Sequence, residues 1–492
     1  MTMSYTLHLQ ILISALCLLF CKLSCATPNN GRLDLQLPFV PVKPPPLSKE
    51  HNFTLRHIYH KGSHRYPRLF RKIDIYHDSL VQDGTKESCC DGEATSTAFA
   101  VKSNALEIQR LSDRSRHSID SLLEAGEFLG EPVSLTSDAW TIDRISGPDV
   151  SDKSTVLSFA HIAANAYVDP PHGGEWTDIG GGFNYTEDFG WERDGLRGHV
   201  FADTENKTVI IGLKGTSLPY FDDGETSNND ILNDNLFGSC CCGQGGQYAW
   251  KKVCDCQTST NTCNSSCLMT SLRKKSNYYH AARHLYHNIT AIYPDADVWL
   301  TGHSLGGVVS SLLGLTYGLP TITFEAFPDA LAARRLGLPT PPGYRVGDVE
   351  KHYTGIYHFG HTADPVYMGH CNSFNSPCTI AGYAFQSKCH TGHNCTYNTV
   401  GDLGWRESIG THRISSVIKD VIEKYNATPR CEQDVDCADC SGWKFLDDGG
   451  NGTRTTTTSR IESSTSQITT TTTCQTPGWW SCRDGTTSTT TS

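Results

Sequence analysis

Residues 302–306 of this 492-residue chain read Gly-His-Ser-Leu-Gly. A serine between glycines at that spacing suits attack on a carbonyl, because small neighbours let the backbone turn sharply and lift the hydroxyl above a sheet. Asp297-Val-Trp-Leu-Thr301 before it reads as a short buried strand, and Val308–Leu315 after it as a small-residue helix. The N-terminus of such a helix points its unsatisfied N–H groups at a developing oxyanion. Ser304 is the expected nucleophile.

Serine near neutral pH needs a histidine to take its proton and a carboxylate to orient that histidine. On a strand–turn–helix of this kind the chain order is Ser, then Asp or Glu, then His. Candidate carboxylates downstream include Glu325, Asp329, Asp364 and Asp402, and candidate histidines include His370, His390, His393 and His412. Asp364 falls just after the strand ending at Phe359, where a site is built at carboxyl ends of strands. Glu325 and Asp329 follow the preceding strand and read as structural. His412, in Ile409-Gly-Thr-His-Arg-Ile414, sits at a loop-to-helix junction, whereas His390 and His393 lie between Cys389 and Cys395. Asp364 and His412 are therefore the expected partners, with His370 the second choice of base. For the oxyanion, Leu213-Lys-Gly-Thr216 ends a strand in glycine and a hydroxyl residue. Thr216 and the N–H of Leu305 are the expected donors.

These residues need a scaffold. A helix is expected over 151–168, strands over 198–202 and 208–213 around a turn at Glu205-Asn206, a long helix over 268–293, and further strands over 321–324 and 355–359. Strands alternating with helices predict an α/β domain with a mainly parallel sheet.

Composition narrows the rest. The chain is 38% hydrophobic and 19% charged, which provides a core. Lys plus Arg is 41 against 52 Asp plus Glu, a net charge of −11 that argues against nucleic-acid binding. Mean hydropathy is −0.37 with one long apolar run, which excludes a polytopic membrane protein. Three of the 21 cysteines lie in or beside that run, and the other 18 predict disulfides in an oxidising lumen. Asn-x-Ser/Thr acceptors at Asn52, Asn184, Asn206, Asn264, Asn288, Asn394, Asn426 and Asn451 agree. The other reading is zinc held by Cys254, Cys256, Cys263 and Cys267, but no regular second knuckle accompanies them. No metal or organic cofactor is expected.

The apolar run over 7–25, after a short N-terminus at 1–6, is borderline in length for a membrane span. It reads either as a cleaved signal, with Ser24-Cys25-Ala26 at the cut, or as an uncleaved signal-anchor. A luminal extension at 26–150 holds a Pro-rich linker and a His/Arg-rich stretch at 51–72. That stretch reads as a partly exposed strand and loop, or as a pH-dependent contact with anionic lipid, phosphoinositide included. The catalytic domain is expected over 151–425. Within it 218–267 forms an insertion with seven cysteines, an odd number, so at least one pairs outside it or stays free. Its Ile231–Phe237 part is expected to gate an acyl groove. A Cys-rich segment at 426–452 and a Thr/Ser-rich tail at 453–492 follow. Gly180–Gly182 and Asp222–Glu225 have no assignable role.

The sequence resembles the fungal class 3 lipases over roughly residues 150–425. Lys214-Gly-Thr-Ser, Gly302-His-Ser-Leu-Gly-Gly307, Thr323-Phe-Glu-Ala-Phe-Pro328, Asp364-Pro-Val366 and the late His412 carry the likeness. The N-terminal apolar segment, His/Arg stretch, Cys-rich insertion and Thr-rich tail resemble more closely the autophagy-related vacuolar lipases of fungi. That resemblance implies an α/β-hydrolase fold of the class 3 type on a single-pass type II membrane glycoprotein. Such proteins pass through endoplasmic reticulum, Golgi and multivesicular bodies to the vacuole, where they break down membranes of autophagic bodies and intralumenal vesicles. It favours the signal-anchor. The rivals are a secreted esterase acting on soluble or cell-wall esters and a non-catalytic lipid-binding surface glycoprotein.

Overall fold

The computed structural model describes residues 48–63, 66–75, 99–129, 132–167, 195–216, 227–339, 353–433 and 437–446. The apolar run, the Pro-rich linker, residues 180–182 and 222–225, Asn184, Asn451 and the Thr/Ser tail lie outside these. No helix among the described residues is long and apolar enough to cross a membrane.

One sheet of eleven strands organises the molecule. The strands are β1 (Lys49–Lys61), β2 (Phe70–Asp74), β3 (Phe99–Leu111), β4 (Trp140–Pro148), β5 (Leu196–Asp203) and β6 (Thr208–Leu213), then β9 (Asp297–His303), β10 (Thr321–Phe324), β11 (Ile356–His361), β12 (His393–Tyr397) and β13 (Cys431–Glu432). A small separate sheet contains β7 (Gln257–Ser259), β8 (Thr262–Asn264) and β14 (Lys444–Leu446). The large sheet runs β13-β12-β11-β10-β9-β6-β5-β1-β3-β4, with β2 on β1.

The sheet is mixed rather than mainly parallel. β6, β9, β10, β11 and β12 pair in parallel, as strand–helix alternation predicts, while β5 pairs antiparallel with β6 and β1 antiparallel with β5. The chain before residue 151 thus does not stand apart from the catalytic region. β1 meets β5 along Phe53–Lys61 and Leu196–Asp203, so the N-terminal extension widens the same sheet. Long-range pairing of this kind leaves no local signature.

Side chains alternate between the two faces. On β9, Val298 and Leu300 enter one core with the helices Tyr278–Ile292 and Leu305–Tyr317, while Trp299 enters the other with the helix Lys153–Asn165. Each fully buried Leu or Val contributes about 1.5–3 kcal/mol by leaving water. Asp152 starts the helix Lys153–Asn165 by accepting from the Thr155 amide, close to the expected start.

The long helix expected over 268–293 is two helices, Ser265–Leu272 and Tyr278–Ile292. Apolar spacing carries through the junction, but Asn277 interrupts it. Its amide Nδ2 donates to the carbonyls of Ser271 (2.7 Å) and Leu272 (3.2 Å), closing the first helix, and Asn277 takes the N-cap position of the second.

Of the two readings for 51–72, the strand reading matches. His51, His57 and His60 are buried, not presented to a lipid surface. His51 Nδ1 donates to Asp203 at 3.1 Å, and His57 Nδ1 donates to Asp74 at 2.6 Å. Burial lowers the pKa of His57, which opposes charging in an acidic lumen.

Cysteines pair as 240–440, 241–263, 242–254, 256–267, 371–378, 389–437 and 395–431. The odd cysteine of the insertion is Cys240, which reaches Cys440 across 200 residues of chain. All four sulfurs of the zinc alternative are in disulfides. Among the described sequons Asn52, Asn206 and Asn426 are exposed, whereas Asn264, Asn288 and Asn394 are half-buried.

Candidate active site

β9 ends at His303 and the helix Leu305–Tyr317 begins two residues later, so Ser304 alone makes the turn. It does so at φ 54° and ψ −129°, outside the ordinary regions for an L-residue. Two glycines make that turn sterically feasible. A Cβ on Gly302 would lie 2.4 Å from the Gly306 carbonyl carbon, and one on Gly306 would lie 2.3 Å from the Leu213 carbonyl oxygen.

Ser304 Oγ is 2.9 Å from His412 Nε2, and His412 Nδ1 is 2.7 Å from Asp364 Oδ2. Nδ1–H donates to the carboxylate, which leaves Nε2 to accept from the serine. The fold brings these three expected residues together from positions 304, 364 and 412, and all are buried. Asp364 follows β11, and its Oδ1 accepts from the Val366 amide at 2.9 Å. Burial alone would raise the pKa of Asp364, but His412 beside it holds it down at about 2. A serine, a base and an ionised carboxylate at these distances are able to carry acyl transfer.

Thr216 is buried after β6, and its Oγ1 donates to Asp234 Oδ2 at 2.7 Å. Asp234 belongs to the helix Ser227–Gly238 of the insertion, and burial pushes its carboxyl well above the usual range. Leu305 opens the helix after the nucleophile, among the first-turn amides that lack an intrahelical acceptor.

The segment Ile231–Phe237, the expected gate, is a helix packed against the rest of the fold. Ile231, Leu236 and Phe237 are part of the core. Asn235 Nδ2 donates to Lys251 and Gly382 carbonyls, both at 2.8 Å, and its Oδ1 accepts from the Ala384 amide at 2.7 Å. Three well-formed bonds and apolar burial seat the helix in this arrangement.

Other candidates fall elsewhere. His370 is exposed and pairs with Glu407 at 3.0 Å. His393 lies on β12. Asp402 accepts from Tyr425 on the surface. Asp329, His358 and His390 form a buried cluster of metal-ligating types. Asp329 is, however, already hydrogen-bonded by the Thr391 amide and hydroxyl (both 2.7 Å) and by Ser311, so it reads as a structural knot.

Two supports were not foreseen. His303 donates from Nε2 to the His412 carbonyl at 2.7 Å and accepts at Nδ1 from Tyr167 Oη at 2.7 Å. Burial drops its pKa to about 3, so this imidazole is neutral. Glu325, one residue past β10, is fully buried beside Asp364. Its signal was the carboxylate inside Thr323-Phe-Glu-Ala, where no partner is visible in sequence.

Sheet, turn and buried serine together define an α/β-hydrolase acting as a serine ester hydrolase. The model of the class 3 lipase family matches residues 247–320. Two fungal relatives, both named "Putative lipase ATG15", are similar over most of the chain. That of Passalora fulva is 59% identical, covering 91% of this chain and 67% of its own. That of Penicillium rubens is 48% identical, covering 92% and 68%. The chain belongs to this ATG15 family of lipases, on a class 3 lipase frame. A solved triacylglycerol lipase from Penicillium expansum is 16% identical over 51% of this chain and 80% of its own, with a TM-score of 0.26. So limited an overlap adds nothing to the family match.

Proposed function

We propose that this lipase hydrolyses carboxylic esters of membrane lipids, with triacylglycerol as a further substrate, through Ser304, His412 and Asp364. The observation that carries the reading is the unbroken chain from Ser304 Oγ to His412 Nε2 at 2.9 Å and from His412 Nδ1 to Asp364 at 2.7 Å. Ser304 attacks the acyl carbonyl while His412 takes its proton. The C–O bond breaks as His412 returns that proton to the leaving alcohol. Water, deprotonated by His412, then releases the fatty acid and restores the serine. Asp364 orients His412 and balances its transient charge. The amides of Thr216 and Leu305 hold the oxyanion, and the Asp234 bond fixes Thr216 in place.

The same reading places the enzyme in an acidic lumen, where it lyses autophagic bodies and multivesicular-body vesicles. It arrives as a single-pass type II glycoprotein of Golgi and endosome membranes, anchored by 7–25. The seven disulfides among the described residues, the sequons and the name of the relatives support that placement. The partner is the lipid bilayer itself.

The test is fatty-acid release by the full-length protein from phospholipid liposomes and from triacylglycerol emulsion, across acidic to neutral pH, beside Ser304→Ala. Release from liposomes that peaks at acidic pH and disappears in Ser304→Ala supports the reading. Release from emulsion alone makes it a storage-fat lipase, activity only on short soluble esters together with a cleaved N-terminus favours a secreted esterase, and activity that survives Ser304→Ala removes the mechanism.

A further inference from the structure

Glu325 has no role in the reaction as written, yet its setting is unusual. The residue is wholly buried, sits at φ 44°, and is held by its own amide to the Phe359 carbonyl on β11 at 2.8 Å. Positive φ in a residue with a long side chain is uncommon and needs support from its surroundings.

The groups that face it are few. Apart from a weak approach by the His361 amide, neither carboxyl oxygen of Glu325 meets an N–H or O–H donor among the described residues. His361 Nε2 is 3.7 Å from Oε1, but that nitrogen donates to the Thr411 carbonyl at 3.2 Å. His361 Nδ1 accepts from the Ala363 amide at 3.2 Å, so the ring is neutral with no second proton to give. Tyr367 and, through Asp364, His412 and His303 are the remaining titratable neighbours. The group beside Glu325 is the carboxyl of Asp364, which is likewise fully buried.

Two ionised carboxylates cannot sit side by side in a dry site. Asp364 is the ionised member, because it takes the proton of His412 Nδ1. We infer that Glu325 is a positioning acid for the triad: it stays protonated and donates its hydrogen to the Asp364 carboxylate. Burial and the charge of Asp364 both push Glu325 well above the usual carboxylate range, in agreement with that geometry.

The consequence is chemical. A carboxylate that accepts a strong hydrogen bond from a neutral acid has part of its charge drawn away from its other partner. Asp364 then stabilises the charged imidazole of His412 less, and the base is free of its proton at lower pH. The pair lets a serine hydrolase keep working on the acidic side of neutrality. This rests on reading Ser304, His412 and Asp364 as the triad.

The experiment is the pH profile of kcat/KM for the full-length protein on a soluble short-chain ester, comparing wild type, Glu325→Gln, Glu325→Leu and Ser304→Ala. Gln still offers an N–H to Asp364, so its acidic limb stays with wild type. Leu fills the space without a donor, and its acidic limb moves up by about one pH unit. A folded Glu325→Leu whose limb coincides with wild type overturns the inference, as does a Gln variant that shifts like Leu. Infrared difference spectra of wild type minus Glu325→Gln at neutral pH give an independent reading if the Leu variant does not fold. A protonated-carboxyl stretch in the wild type alone is expected, and its absence overturns the proposal. Activity surviving in Ser304→Ala would instead remove the triad, whereas an inactive Ser304→Ala with unshifted Glu325 variants removes only the role of Glu325.

Discussion

His303 Nε2 donates to the backbone carbonyl of His412 at 2.7 Å, so the residue before the nucleophile also fixes the main chain of the base. The bond spans 109 residues of sequence and ties the end of β9 to the loop that carries the imidazole. Tyr167 completes the relay by donating to the other ring nitrogen.

Loss of this tie should loosen His412 without touching the reacting atoms. His303→Phe keeps a ring in the space but has no donor. It is expected to lower kcat by about 10-fold to 100-fold with KM little changed, since misplacing a catalytic group costs rate more than binding. Steady-state kinetics on a soluble ester check it. An unchanged kcat would mean that the loop holds His412 unaided.

The turn at Ser304 depends on absent side chains. Gly306→Ala would drive a methyl against the Leu213 carbonyl, which is backbone and cannot swing aside. The variant should be destabilised by about 2–4 kcal/mol and lose most activity. Denaturant unfolding beside an activity assay measures both, and a variant that melts like wild type would show the helix able to shift.

Buried histidines set how stability depends on pH. Burial lowers His199 and His303 to about 3, below the ordinary 6.5. A folded-state pKa below the unfolded value means stability is present above about 6.5 and is lost as pH falls toward about 3. Glu325 and Asp234, raised by burial, act in the opposite sense, stabilising below the ordinary carboxylate range and ceasing to do so as pH rises. Asp439 is raised as well, but His57, His161, His280, His284, His287 and His361 are lowered too, so the lowered histidines outnumber the raised acids. The melting temperature should peak near neutral pH and drop on acidification. His199→Phe, which removes a fully buried ring nitrogen pair from β5, should flatten that drop. Calorimetry across the range decides it, and an identical slope in the variant would place the acid sensitivity elsewhere.

The meeting of Ser304, Asp364 and His412 was legible because each obeys a local rule. Ser304 has its glycines, Asp364 its strand end, and His412 its place late in the chain. The support around it was not. Glu325 lies one residue past β10, and its neighbour is a carboxylate 39 positions away that no pattern joins to it. Asp234 reaches Thr216 from an insertion whose cysteines dominate any reading. The widening of the sheet by β1 to β4 is likewise a pairing between distant segments. The break at Asn277 was missed for another reason: helical spacing of apolar residues continues across it, and only the amide that closes the first helix shows the stop.

The disulfide between Cys240 and Cys440 joins the insertion to the C-terminal segment over 200 residues. Loop closure of that span restricts the unfolded chain, though the other bridges already restrict part of it. Replacing both cysteines by serine should cost about 2–4 kcal/mol. The measurement is guanidinium unfolding of the double variant beside wild type, both without reductant. No change in midpoint would mean that the neighbouring bridges already supply the constraint.

Thr216 separates two ways of holding an oxyanion. Its hydroxyl is committed to Asp234 at 2.7 Å, which leaves its amide for the proposed oxyanion role. Thr216→Val keeps shape and amide but breaks the bond to Asp234. If that bond fixes the amide, kcat should fall by about 10-fold to 100-fold with KM nearly unchanged, because the loss is felt in the transition state. Thr216→Ser keeps the hydroxyl and should retain most of the rate. Asp234→Asn, which leaves an acceptor of the same shape, should fall between them. A Val variant as fast as wild type would show that the loop presents its amide without help from the insertion, and Asp234 would then matter to folding alone.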